Sequence, residues 1–176
     1  LPRELDATAL LRIAVETEDP LNAGAAARAL ASTAAGELWL VRPRFDLNDA
    51  RRTAVGATAI LETARIAADV DAALPPGALL VATESGATPR RGAISPRALP
   101  LLAPERPLAI LFGHEVNGLP RELIHRCDVV SRIPSSGTQP SYNLAQALLI
   151  FAYELMLAGR PEVAAPARMV ASDTEA

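Results

Sequence analysis

Three short clusters in the chain combine residue types that can hold a polar ligand. The first, Asn22-Ala23-Gly24-Ala25-Ala26-Ala27-Arg28, follows an apolar run. Asn22 carries an amide able to cap a helix, Gly24 admits a ligand or a second backbone, and Arg28 falls one helical turn beyond Gly24 on the same face. A surface arginine beyond a capped helix start explains the same residues. The second cluster, Leu111-Phe112-Gly113-His114-Glu115-Val116-Asn117-Gly118-Leu119, ends an apolar run in glycine with charged side chains beside it. Such a junction is where an open α/β sheet takes its ligand. Glu115 is suited to orient an arginine or accept a ligand hydrogen bond, and a tight loop between two glycines is the competing explanation. The third runs from Ile133-Pro134 through Pro140 to Ser141-Tyr142-Asn143-Leu144-Ala145. It is a polar loop feeding a helix, rich in side-chain and helix-start hydrogen-bonding groups, with simple capping by Ser141 as the alternative.

Other chemistries have little support. Cys127 is the only cysteine, which excludes an internal disulfide and a multi-cysteine zinc site. His114 and His125 are the only histidines and lack a metal-ligand spacing, so no metal is expected. The glycine-rich dinucleotide motif, the lysine-containing phosphate loop and the serine nucleophile elbow are all missing. A formal charge of −3 argues against a nonspecific coat on nucleic acid, but not against a local positive surface. Every basic residue other than the histidines is arginine, a side chain that grips phosphate through two nitrogens and stacks on bases. No apolar run reaches bilayer length and the first residues do not read as a secretion signal, so the expected compartment is the cytoplasm, with no membrane partner.

The elements that must position the clusters alternate between strand and helix. Strands are expected over Leu11–Glu16, Glu37–Val41, Leu79–Thr83, Leu108–Phe112 and Val129–Ile133. Helices are expected over Asn22–Ala35, with Asn22 as its N-cap, over Pro120–Cys127, and over Ser141–Leu157. Phe45–Ala54 reads as a loop entering a short helix, Gly56–Ala64 fits helix or strand, and Val70–Leu74 reads as a single helical turn. Glu84–Pro107 reads as a functional loop with a short helix possible over Pro96–Leu102. The final long helix is apolar nearly all round, which suits a central position or a subunit interface. The fold class is therefore α/β in one domain over residues 1–160, followed by a tail over 161–176.

In this order the three clusters resemble the SpoU/TrmH family of SPOUT methyltransferases. Asn22 to Arg28 is similar to the family's N-x-G-x-x-x-R motif, and Phe112 to Leu119 to F-G-x-E-x-x-G-L. Ile133-Pro134 followed by Ser141-Tyr142-Asn143 resembles I-P preceding S-L-N. The likeness spans Leu11–Leu157. Val15-Glu16-Thr17, Ala54-Val55-Gly56-Ala57 and Asn143-Leu144-Ala145 are most like the branch that methylates a tRNA cytidine or uridine ribose at anticodon-loop position thirty-two. His114 stands where that branch commonly has arginine, and Tyr142 where it has leucine.

The resemblance implies a mostly parallel sheet flanked by helices with a C-terminal deep trefoil knot, a homodimer, an RNA substrate (tRNA in this branch) and S-adenosyl-L-methionine as methyl donor. Ribosomal RNA, a wobble nucleotide or a catalytically silent RNA-binding or dimerisation module are the alternatives. It implies cofactor contacts from Thr83, Glu84, Ser85, Gly113, Ile133, Pro140, Ser141 and Tyr142. Arg28 would help activate the ribose hydroxyl, Glu115 would orient Arg28 or support the loop, and Asn22 and Asn143 would fix the geometry. Arg42, Arg44, Arg51, Arg52, Arg90, Arg91 and Arg121 are candidates for phosphate contacts.

Overall fold

The computed structural model describes residues 10–33, 36–85, 92–102, 106–136 and 138–158. The expected tail, Arg90 and Arg91 lie outside them. Six strands, β1 (Leu10–Val15), β2 (Glu37–Val41), β3 (Arg65–Ala67), β4 (Leu79–Glu84), β5 (Leu108–Phe112) and β6 (Val129–Arg132), form one sheet in the order β3-β2-β1-β5-β4-β6. Every neighbouring pair is parallel. Parallel sheets are covered on both faces, so their central strands read as near-continuous apolar runs. All five residues of β5 are buried. Leu108, Ile110 and Phe112 join the larger core, while Ala109 and Leu111 join the smaller core on the other face.

The larger core is closed by α1 (Pro20–Thr33), α2 (Leu47–Ala50), α3 (Thr58–Glu62), α5 (Leu144–Ala158) and a 3-10 turn at Pro96–Leu101. Arg97 in that turn makes a two-pronged ion pair with Glu154 of α5, at 2.8 and 3.0 Å. The smaller core is closed by α4 (Arg121–Arg126) and a 3-10 turn at Asp71–Ala73.

Several boundaries differ from expectation for identifiable reasons. Helix α1 begins at Pro20, not after Asn22: the Asp19 carboxylate accepts the Leu21 N–H at 2.9 Å, and proline suits the first helical position. Asn22 is thereby placed in the first turn with its amide free for tertiary use. Helix α5 is capped by Asn143, not Ser141. The Asn143 Oδ1 accepts the Ala145 N–H at 2.9 Å, and the Gln146 side chain accepts the Asn143 N–H at 3.2 Å in return. Strand β3 was not expected. It is a three-residue edge strand with Arg65 and Ile66 exposed, held through the Arg65 guanidinium 5.5 Å from the Trp39 ring.

Gly24 resolves to backbone packing. A Cβ there would lie 2.0 Å from the Ala50 carbonyl oxygen, so only glycine lets α1 meet α2.

The strand order turns on the β1–β5 pair. From it the chain builds outward through β2 and β3 on one side and through β4 and β6 on the other. The carboxyl ends of strands at such a switch point leave a crevice between diverging connections.

Candidate active site

A cavity of about 830 Å³ opens at the carboxyl ends of β4, β5 and β6. All eight residues expected to contact a cofactor line it: Thr83, Glu84, Ser85, Gly113, Ile133, Pro140, Ser141 and Tyr142. Among the four expected catalytic residues, Glu115 and Asn143 line it; Asn22 stands behind Glu115, and Arg28 is not part of the lining. The size suits a small-molecule site, in which apolar walls hold a flat ring and a few aimed polar groups orient it. Leu119, Ile133 and Leu144 supply apolar wall, and the Glu84 and Glu115 carboxylates add negative charge. The Phe112 ring packs edge-on against Phe151, centroids 5.4 Å apart, and joins β5 to α5 in the cavity wall.

The walls are fixed by short polar bridges. The Thr83 hydroxyl donates to the Leu111 carbonyl at 2.8 Å and locks the ends of β4 and β5 together. The Tyr142 hydroxyl donates to the Pro134 carbonyl at 3.0 Å, tying both ends of the loop between β6 and α5. A leucine at 142 lacks that donor. At Gly113 a Cβ would lie 2.2 Å from the Gly118 carbonyl carbon, so the loop after β5 folds directly onto its own root.

Behind the cavity runs a hydrogen-bonded chain of four residues from three segments distant in sequence. The buried Thr17 hydroxyl, just past β1, donates to Glu115 Oε1 in a short contact. The buried Asn22 Nδ2 donates to the same oxygen at 2.9 Å. Asn143 Nδ2 in turn donates to Asn22 Oδ1 at 2.8 Å. Asn22 thus reads a carboxylate with one end and an amide with the other, as only a side chain with both donor and acceptor can. Desolvation pushes the Glu115 pKa up, but the Thr17 and Asn22 hydrogen bonds, with backbone N–H groups of Glu115 and Glu18, outweigh it and hold the pKa below the ordinary carboxylate value. Glu115 is therefore an anion that supports the loop; its side-chain partners are Thr17 and Asn22, and Arg28 is not among them.

Thr17 is the member of this network that sequence reasoning missed. Its signal was a lone hydroxyl between Glu16 and Glu18 immediately after a strand, a position read only as part of a family likeness. Nearby, Glu16 and Arg42 adopt left-handed backbone, φ 55° and 49°, at the ends of β1 and β2, and their side chains form an ion pair. Non-glycine residues pay roughly 1–2 kcal/mol each for that conformation, offset here by the backbone bonds from Glu16 N to Val41 O and from Arg42 N to Ala67 O.

The arginines divide. Arg42, Arg44 and Arg51 are paired with Glu16, Glu18 and Glu62, which favours a structural role for them. Arg28 and Arg52 are exposed and make no ion pair with a described residue, and Arg121 lines the cavity. Among the described residues no cluster of histidine, cysteine and carboxylate side chains fits a metal, and no helix is long and apolar enough to cross a membrane.

Comparison with known proteins follows the same outline. The model of the SpoU rRNA Methylase family matches residues 10–153. A relative from Pseudomonas aeruginosa (strain UCBPP-PA14), named tRNA (cytidine/uridine/adenosine-2'-O-)-methyltransferase TrmJ, is 34% identical over 166 residues; the match covers 89% of this chain. The chain spans 64% of that relative's length. A solved structure titled for 2-OH methylation of C/U34 on tRNA is similar with a TM-score of 0.70 at 30% identity, covering 88% of this chain and 100% of that one. An AdoMet-bound rRNA methyltransferase from Sinorhizobium meliloti has a TM-score of 0.68 at 25% identity, covering 88% of this chain and 57% of that one.

Proposed function

Because the chain belongs to the SpoU rRNA Methylase family, we propose that it is an S-adenosyl-L-methionine-dependent methyltransferase acting on a ribose 2′-hydroxyl of tRNA in the cytoplasm. The observation that carries the reading is that all eight expected cofactor residues, from three separate loops, line one cavity whose rear wall is the Thr17–Glu115–Asn22–Asn143 chain. The bound cofactor supplies an electrophilic methyl group on a sulfonium. The chain's residues would supply position: the Gly113 and Ile133 loops would hold the donor, and Asn22 and Asn143 would fix the cavity wall against which the ribose is aligned. Arg28 serves the ribose end, holding the adjacent phosphate and stabilising the charge that develops on oxygen.

Residues 1–160 act as one catalytic domain with 161–176 as a tail. The finer fold we propose is a deep trefoil knot. Its support is that, beyond the edge strand β6, Pro140–Tyr142 line one cavity with the ends of β4 and β5, and α5 then packs against α1 and the Pro96–Leu101 turn. We also propose a homodimer. On α5, Leu149, Tyr153 and Leu157 repeat every fourth residue and remain 42%, 49% and 39% exposed, an apolar stripe that a second copy would cover. Arg28 makes no ion pair with a described residue and does not line its own chain's cavity, which leaves the cavity of a second copy as its proposed place of action.

Position thirty-two of the anticodon loop is the proposed target. Position 34 is a second reading, favoured by the neighbour titled for C/U34. The test is incubation with methyl-labelled cofactor and total RNA, followed by nuclease digestion and mass spectrometry. A labelled 2′-O-methyl nucleotide in tRNA is expected; label confined to ribosomal RNA would move the substrate, and cofactor binding without any transfer would make the chain a silent module.

A further inference from the structure

We propose that His114 is the positioning residue of the loop after β5, and that this loop keeps its cavity-lining shape only while the imidazole is neutral. The inference rests on reading the cavity as the S-adenosylmethionine site. Residues 114–118 all line the cavity, yet Glu115, Val116, Asn117 and Gly118 are exposed, Val116 to 85%. Little apolar packing holds such a turn. Its base is closed by the His114 N–H to the Gly118 carbonyl at 3.2 Å and the Gly118 N–H to the His114 carbonyl at 2.8 Å. Its interior is held by the ring itself: Nδ1 accepts the Val116 N–H at 3.0 Å and the Asn117 N–H at 3.4 Å.

An imidazole nitrogen that accepts two N–H groups carries no hydrogen, so the ring proton sits on Nε2. That nitrogen faces Glu18 Oε2 at 3.4 Å, and the His114 side chain is only 14% exposed. A second proton would have to enter at Nδ1, where it would oppose two donors. The turn would then release the ring or the ring would leave its seat. Either movement reaches the site, because Gly113 is packed against Gly118 without room for a methyl group and Glu115 rides on the same turn.

The surrounding charges do not remove the conflict. Glu18 attracts a proton to the ring, but its other oxygen is engaged by Arg44 at 3.0 Å, and Arg44 also lies 3.9 Å from Glu16. Glu115 is committed to Thr17 and Asn22, while Glu84 and Arg121 on the cavity wall oppose one another in sign.

The experiment is S-adenosylmethionine binding by calorimetry at pH 7.5 and 5.5, in the wild type and in His114→Asn and His114→Leu. An asparagine oxygen can accept the N–H two residues on, as in an Asx turn, and does not titrate. Wild-type affinity is expected to fall severalfold at the lower pH, because cofactor would then bind only the fraction of molecules whose ring still accepts the two N–H groups. His114→Asn is expected to bind within about threefold of wild type at pH 7.5 and to lose that pH dependence; both proteins share any titration of the ligand, so the difference isolates the ring. His114→Leu is expected to bind weakly at both pH values.

Parallel profiles for wild type and His114→Asn would overturn the proposal. A readout without ligand separates it from the cofactor reading: the Val116 and Asn117 amide resonances should move with the same midpoint as the His114 ring. A ring that titrates while both amides stay still would overturn it as well. Absence of wild-type binding at pH 7.5 would instead refute the cofactor reading and leave the amide titration to decide the role of His114.

Discussion

Asn22 Nδ2 donates to Glu115 Oε1 at 2.9 Å across 93 residues of sequence. The bond crosses the β1–β5 switch point and joins the first turn of α1 to the loop that lines the cavity. With Asn143 on its other end, Asn22 is the link between that loop and the start of α5.

Replacing Asn22 with alanine should therefore break two buried or half-buried hydrogen bonds and leave Glu115 and Asn143 short of a partner. A loss of about 2 kcal/mol in unfolding free energy is expected in urea titration, together with a larger proportional loss of methyl transfer. Unchanged stability and turnover would show that the chain of hydrogen bonds is incidental.

The same network sets an acid limit. The Glu115 pKa is lowered by folding, so its contribution is complete above the ordinary carboxylate range and is lost as pH falls through the lowered value. Glu115→Gln keeps the shape and removes the titration. The stability difference between wild type and Glu115→Gln, measured by thermal unfolding, should be largest near neutrality and shrink below about pH 4; a difference that grows in acid would mean the shift has the opposite sign.

Gly113→Ala tests the cavity loop by crowding. The added carbon would sit 2.3 Å from the Leu119 nitrogen, backbone that cannot swing aside. The expected result is a folded protein, with its far-UV circular dichroism retained, that is destabilised by about 1–3 kcal/mol and binds cofactor at least tenfold more weakly. Wild-type affinity in this variant would mean that the loop is not part of the site.

The mixture of what sequence revealed and concealed follows from the range of the forces involved. Leu108–Phe112 was legible because a buried parallel strand is an uninterrupted apolar run, and Gly113 because a glycine at its end marks a junction. Strand β3 was hidden because Arg65, Ile66 and Ala67 owe their strand to pairing with β2 and not to their own pattern. Asn22 was read as a cap and capping was the alternative weighed for Ser141, since a local role is what adjacent residues can reveal. Asp19 and Asn143 took those roles, and Asn22 was released for a bond to a residue 93 positions away. Thr17 owes its importance wholly to such a long-range bond. The residues that line the cavity were those the family resemblance implied, because its three motifs come from loops that the sheet brings together; the position of Arg28 on an exposed face was not foreseen.

That position leads to a test in mixtures. Arg28→Ala should lose most turnover with little change in cofactor affinity. If Arg28 works across a dimer, mixing Arg28→Ala with Asn143→Ala should restore part of the activity, because one of the two sites in a mixed dimer then has an intact cavity and an intact arginine. No recovery in a mixture shown by mass spectrometry to contain mixed dimers would confine Arg28 to its own subunit or remove it from the mechanism.

The central claim, that the loops after β4, β5 and β6 together hold the methyl donor, is tested most directly by titrating isotope-labelled protein with S-adenosylmethionine and following amide resonances. Thr83, Gly113, Ile133 and Tyr142 should shift together along one saturable curve, while Arg65 and Ile66 at the far edge of the sheet stay still. Absence of saturable shifts, or shifts gathered around β3 instead, would contradict the account.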